Sequence, residues 1–378
     1  GIPTTNWSFS AKTVLRSSTV SYSSKGWSGT TGKLTFPVTR SGERLDVLLG
    51  ENTFCGTVSG GQAGSTLNLA GSRNVFADQK DSAAQERLSE VKGYYTMALL
   101  NTGGYSALRG QEASLGAGAA GYLALTVGDL GTVKMAGRLS DGTTVSCSAK
   151  LLEGLNPDGW YAIALYQPLY SKKGAVSGLL WLNPRDKVLR TDRYRGWYID
   201  WFCGKEDTPF VYELDACGGF FGDRSSRQAL SSDYAFCADV PDNLPQPVEV
   251  LSGSWIEFAF PWQLHVTSLN DRLLLPKATV PRRVGTGKTG YYDYDVENPS
   301  CATLSYQART GLYKGSFKLY FDGVDTSTNL QHKTILVPFA GVMTPCRDQI
   351  FSGWSAGLGT GTATINRRKI VIPVSLLE

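Results

Sequence analysis

The chain is poor in the residues that most hydrolytic chemistry needs. Its 378 residues include only two histidines, His265 and His332, and both lie in strand-like runs, "QLHVTSL" and "LQHKTIL". Neither stands beside a serine or cysteine nucleophile motif, which argues against a Ser-His-Asp or Cys-His site. No apolar run reaches the roughly 18 residues of a membrane span, and no signal peptide is recognisable. Beginning at Gly1 rather than Met, the sequence reads as a processed mature form or an excised fragment. A concentrated basic face is also missing. The formal charge is +4 and the cations are scattered, apart from "PRRVGTGK" and "INRRK", which argues against a nucleic-acid partner. "VGTGKTG" lacks phosphate-loop spacing, because the first glycine that Gly287 requires falls on Arg282, and the following "YYDYDVENP" does not read as a helix.

What is abundant points to strands. There are 43 glycines, with many Thr, Ser, Val, Tyr and Trp, a mixture that favours short strands joined by tight turns. Single cores stop growing near ~250 residues, so the length predicts more than one domain. One helix is expected, in "DSAAQERLSEVKG", with Asp81 or Ser82 as its cap, Leu88 and Val91 on one face, and Gly93 in a left-handed closing position. Asp141-Gly142 between alternating runs is the strongest hairpin signal. The expected fold is all-β: consecutive small antiparallel barrel- or sandwich-like modules with one short connecting helix. Its blocks are an N-terminal sheet over 1–80, a first module with the connector helix over 81–195, and a second module over 196–378 carrying a cysteine-bearing insertion.

One phrase is written twice. "LTVGDLGTVKMAGRLSDG" (Leu125 to Gly142) returns as "LSYQARTGLYKGSFKLYFDG" (Leu304 to Gly323), and "GWYIDWFCG" matches the opening "GYYTMALL" in character. The duplication is one of supersecondary units. Together with "DSAAQERLSEVKGYYT" and "QHKTILVPFAGVMTP", these phrases resemble β-rich repeat modules found toward the ends of large secreted or surface-attached bacterial proteins, over about Lys80 to Arg195 and Ala302 to Glu378. The likeness rests on turn glycines and alternating apolar positions. It implies an extracellular or cell-surface location and a structural, adhesive or binding role, and it brings no catalytic residue.

Three constellations remain. Cys203, Cys217 and Cys237 lie in a loop-like region where a disulfide staple is expected; zinc is disfavoured, with no CxxC pair and no nearby His. Cys301 and Cys346 flank the later phrase as a second candidate pair, while Cys55 and Cys147 read as buried core residues. Asp293, Asp295 and Glu297 alternate in "YYDYDVEN" and would share one face of an extended segment; with Asn298 they form a calcium candidate, the one cofactor in view. Trp181, Trp197, Tyr198 and Trp201 form an aromatic candidate for stacking on sugar rings, but large aromatics in an all-β protein usually pack in cores or interfaces, and packing is the preferred reading.

The function expected is that of an extracellular, non-enzymatic structural or adhesive protein of a bacterial surface or filament. It would act through module packing and strand exchange at its ends, with itself or other surface proteins as partners. A carbohydrate-binding module is the first alternative. A glycan-cleaving enzyme, which needs only two well-placed carboxylates, is the second.

Overall fold

A computed structural model describes residues 7–15, 18–27, 32–36, 38–61, 66–106, 120–156, 158–192, 195–204, 210–222, 234–241, 244, 255–257, 264–269, 272–324, 330–345 and 356–377. The chain is mostly β, with one α-helix among the described residues. It folds as an N-terminal block followed by two barrel-like sheets.

In the N-terminal block, β1 (Trp7–Leu15) and β2 (Ser18–Trp27) pair as an antiparallel hairpin. Strands β3 (Gly32–Thr35), β4 (Glu43–Leu49), β5 (Thr53–Gly60) and β6 (Leu67–Ser72) form a four-stranded sheet in that order. Alternation along β4 sends Leu45 and Val47 inward, where they join Val58, Phe36, Val20 and Tyr22 in a small core of their own. Leu48 is exposed, and so is Cys55 opposite it on β5, contrary to its expected burial.

Helix α1 (Ser82–Val91) begins where Asp81 accepts a hydrogen bond from the Ala84 N–H at 3.0 Å. It ends where Lys92 turns extended and Gly93 follows at a φ of 144°. Gly93 opens the next strand, and a Cβ there would lie 2.4 Å from the Phe220 ring, so the glycine serves close approach.

The first barrel comprises β7 (Gly93–Ser106), β8 (Ala120–Val127), β9 (Thr132–Arg138), β10 (Thr144–Leu152), β11 (Tyr161–Leu169), β12 (Gly174–Leu182), β13 (Val188–Arg190), β14 (Ile199–Cys203) and β15 (Phe210–Gly222). Each strand is antiparallel to its neighbours, and β15 pairs back onto β7 to close the ring. Strands β13 and β14 occupy one lane between β12 and β15, interrupted by an excursion with an Asp192–Trp197 bridge. This corrects the domain boundary expected at 195/196. Ile199 and Trp201 alternate into the first barrel's core, so "GWYIDWFCG" completes that barrel and does not open the next. Asp141-Gly142 does form the β9–β10 turn, with the Gly142 N–H donating to Leu139 O.

The interior is filled with Leu, Val, Ile and Met side chains from all sides, and one end is plugged by Phe76, Ala84, Leu88 and Val91 from the helical segment. Phe76 packs edge-on to Tyr161 at 5.7 Å and lies over Gly131, whose φ of 65° and lack of a Cβ let the ring sit there.

The second barrel uses β16 (Tyr234–Ala238), β17 (Trp255–Glu257), β18 (Leu264–Leu269), β19 (Arg272–Leu274), β22 (Thr303–Gln307), β23 (Leu312–Val324), β24 (Leu330–Thr344), β25 (Ala356–Ile365) and β26 (Arg368–Leu377). A separate hairpin, β20 (Arg282–Val284) with β21 (Tyr291–Asp293), precedes β22. Strands β17 and β22 share the lane beside β23; the order then runs β24, β25, β26, β16, β18, β19. Strand β19 lies alongside β22, leaving the sheet nearly closed. Its core holds Phe236, Phe317, Phe339, Ile372 and Leu376. Phe221, at the end of β15, enters this core and covers Gly311, which also has a φ of 65°. In contrast to Asp141-Gly142, Asp322-Gly323 lies within β23, because the longer hairpin carries pairing past it to Val324–Leu330.

Replacing Phe76 by Ala is expected to cost about 3–5 kcal/mol through the cavity left at the barrel end. Gly131→Ala and Gly311→Ala should each cost at least the roughly 1–2 kcal/mol of a left-handed backbone. Denaturant unfolding measures all three, and a near-neutral Phe76→Ala would show that the barrel does not depend on its plug.

Candidate functional sites

The aromatic set splits by burial. Trp201 is 1% exposed and donates its indole N–H to the Tyr170 hydroxyl at 3.0 Å, and Trp181 is likewise buried, so neither can offer a face to a sugar. Tyr198 is half-buried. Trp197 is 45% exposed, but it stacks on Trp181 at 5.9 Å and carries the Arg195 guanidinium 5.5 Å above its ring. The four residues do not make a platform.

The acidic set is not assembled either. Asp293, Asp295 and Glu297 are exposed, while Asn298 is fully buried with its amide consumed: it donates to Pro276 O at 2.9 Å and Ala302 O at 3.0 Å, and accepts from the Ala302 N–H. Among the described residues no group of three His, Cys, Asp or Glu comes together to hold a metal. Cys203, Cys237 and Cys301 are free thiols, so the expected staple among Cys203, Cys217 and Cys237 does not form, and neither does a Cys301–Cys346 pair. The reason is positional: the first two lie in strands of different barrels, and Cys301 is held in a left-handed turn (φ 50°) behind Asn298. Cys217 is buried in β15 and disulfide-bonded. Cys346 lies outside the described residues.

A cluster that the sequence reading missed sits on the outer face of the second barrel. Asp322 and His332 face each other directly across β23 and β24, and Nδ1 of His332 lies 2.5 Å from the buried Asp322 carboxylate. Tyr294 donates its hydroxyl to the other carboxylate oxygen. The His332 ring is stacked on Tyr292 (3.7 Å between centroids) and on Tyr320 (5.2 Å). Tyr320 in turn donates to Pro299 O at 2.9 Å, and burial pushes its phenol pKa up. Tyr292 and Tyr294 flank Asp293 in and after β21, so the cluster clamps the β20–β21 arm onto the barrel. The arrangement works as a clamp, with both oxygens of the buried Asp322 carboxylate bonded.

The two barrels meet through their outer faces, β7 and β8 against β24 and β25. Thr96 donates to Met343 O at 2.7 Å, Tyr94 to Thr310 O at 3.1 Å, and Thr360 to Ala120 O. Tyr94 also packs edge-on to Phe221 at 6.2 Å, and desolvation pushes its pKa up to about 12. Beside this seam runs an open groove. Cavities of about 490, 850 and 90 Å³ share Tyr122 and Arg138 as lining. One wall is the outer face of β8, β9 and β10, and the other is β22, β23 and β24.

No protein-family model, curated protein or solved structure matches this chain.

Two predictions follow from the geometry. Asp322→Ala removes the acceptor of both His332 and Tyr294 and should cost about 1–3 kcal/mol, with faster amide exchange across Arg282–Asp293; unchanged exchange there would mean that the arm is held elsewhere. The second concerns alkali. Burial raises the pKa values of Tyr94, Tyr95, Tyr170, Tyr313 and Tyr320 above the unfolded value of about 10. The folded state then holds more protons than the unfolded state, so the stability these groups contribute is complete below pH ~10 and falls as pH rises through the folded values. Ultraviolet titration should show these tyrosines ionising only together with unfolding; five phenols titrating near 10 in the folded protein would refute the assignment.

Proposed function

We propose that the protein is an extracellular, non-enzymatic structural or adhesive component of a bacterial surface or filament, built from two copies of one β-module fused side by side. The parallels between the barrels support the duplication. In each, a glycine at φ 65° (Gly131, Gly311) turns the chain between the two strands of the repeated phrase and is covered by a phenylalanine contributed from earlier in the chain. In each, that turn joins the first two strands of a five-strand meander, β8 to β12 and β22 to β26. What completes the ring differs: β7 before the meander and β13–β15 after it in the first, β16, β18 and β19 before it in the second.

The observation that carries the associative role is where sheet edges remain. Closure abolishes edges in the first barrel and nearly does so in the second, whereas the four-stranded N-terminal sheet ends in β3 and β6, each with one partner among the described strands. The C-terminal strand β26 is flanked by β25 and β16 and has no edge to offer. Strand addition between copies is therefore assigned to the N-terminal block, whose separate core leaves it free to act as a unit.

Light scattering and electron microscopy of the full chain should find ordered polymers, and a chain lacking residues 1–72 should remain monomeric with a melting temperature changed by no more than about 4 °C, the shift expected of roughly 1 kcal/mol. A full chain that stays monomeric at every concentration, or polymers that persist in the shortened chain, would overturn the reading.

A further inference from the structure

The groove beside the seam has a charge pattern that packing does not require. Lys134 and Arg138 line its first-barrel wall and Lys314 the second-barrel wall, while no described Asp or Glu lines any of its three cavities. None of the three cations forms an ion pair or a side-chain hydrogen bond among the described residues. Elsewhere cations do find carboxylates, as in Arg87–Glu153 and Arg44–Asp46. Lys134 and Lys314 occupy the same place in the two phrases, three residues after Gly131 and Gly311. The duplication thus delivers one lysine from each copy to opposite sides of a common groove.

We propose that this groove binds an acidic oligosaccharide, a chain of uronic-acid-type sugars whose carboxylates pair with Lys134, Arg138 and Lys314. The floor and rim fit that chemistry. The half-buried ring of Tyr122 offers an aromatic face for a sugar ring, and Ser146, Ser305 and Gln307 supply donors and acceptors for ring hydroxyls. Lys134 and Arg138 lie on the same face of β9 four residues apart, a separation of ~13 Å at the strand rise, which an extended polyanion spans and a single small anion does not. A guanidinium and two ammonium groups lining one groove from its two walls bind repeated carboxylates through charge-assisted hydrogen bonds. The site is distinct from the four aromatic residues Trp181, Trp197, Tyr198 and Trp201, and it does not depend on assembly through the N-terminal block.

The test is calorimetric titration of the full chain with oligogalacturonate, with neutral galactan oligomers and polyglutamate as comparison probes. Oligogalacturonate should bind, galactan should not, and polyglutamate should bind at least tenfold more weakly. Arg138→Ala and the double variant Lys134→Ala/Lys314→Ala should each weaken oligogalacturonate about tenfold or more, with melting temperatures unchanged because the three side chains are exposed. Tyr122→Ala, monitored in the same way, should weaken binding while leaving the charge pattern intact. No binding of oligogalacturonate overturns the proposal, as does binding that survives all three cation substitutions. Polyglutamate binding as tightly would also overturn it, identifying a charge-only patch for acidic peptides.

Discussion

A sheet that closes on itself must fill its own interior, and most of this chain answers to that constraint. Eight antiparallel lanes leave a space that side chains can just occupy, so inward positions are committed to Leu, Val, Ile, Met and aromatic residues. The ends of such a barrel are the hard part, because strands cannot reach across them. Here the chain supplies a plug from outside the ring: Phe76 with one face of α1 in the first barrel, and Phe221 in the second. Each ring needs the turn beneath it to approach closely, and only a residue without a Cβ allows that at Gly131 and Gly311. The turn glycine inside the repeated phrase is thus a packing residue before it is a turn residue.

Once the interiors are full, everything variable moves to the outer faces. The first barrel spends Asp141 on its own turn, where it accepts from Thr143 and Tyr170. The second barrel extends its hairpin past Asp322, so the carboxylate points from a strand and meets His332 across it. One dipeptide therefore closes a hairpin in one place and anchors an arm in the other. The difference is made by hairpin length, which sets what lies opposite.

Much of this was legible in the residues. Alternation gave the strands, Asp81 marked the start of the helix, and the repeated phrase marked two meanders. Three things were not. The lane shared by β13 and β14 hid behind the polar excursion 191–198, so the first barrel looked complete too early. Packing was the expected role of Trp181 and Trp201, but which of the neighbouring aromatics would be left exposed was not legible, because nothing in local sequence says which alternate residues face a closed interior. The Asp322–His332 pair needed the register, although a trace existed: Asp and His stand five residues either side of Ser327 in a run bounded by strand residues, which is the spacing of cross-strand partners about a hairpin.

Fusing the barrels side by side has a consequence that neither would have alone. A convex barrel has no cleft on its outside, whereas two packed together create a concavity along their line of contact. The seam bonds from Tyr94, Thr96 and Thr360 fix that line on one side of β8, and the face left over, around Tyr122 and Arg138, becomes the floor of the groove. Side chains that were scattered surface residues on a single module then converge from two. Because both walls carry the same phrase, a single lysine position appears twice, and a charge that would be dilute on one barrel is concentrated between two. On the proposed reading, side-by-side packing of two barrels turns an outer face into a binding surface without changing either core.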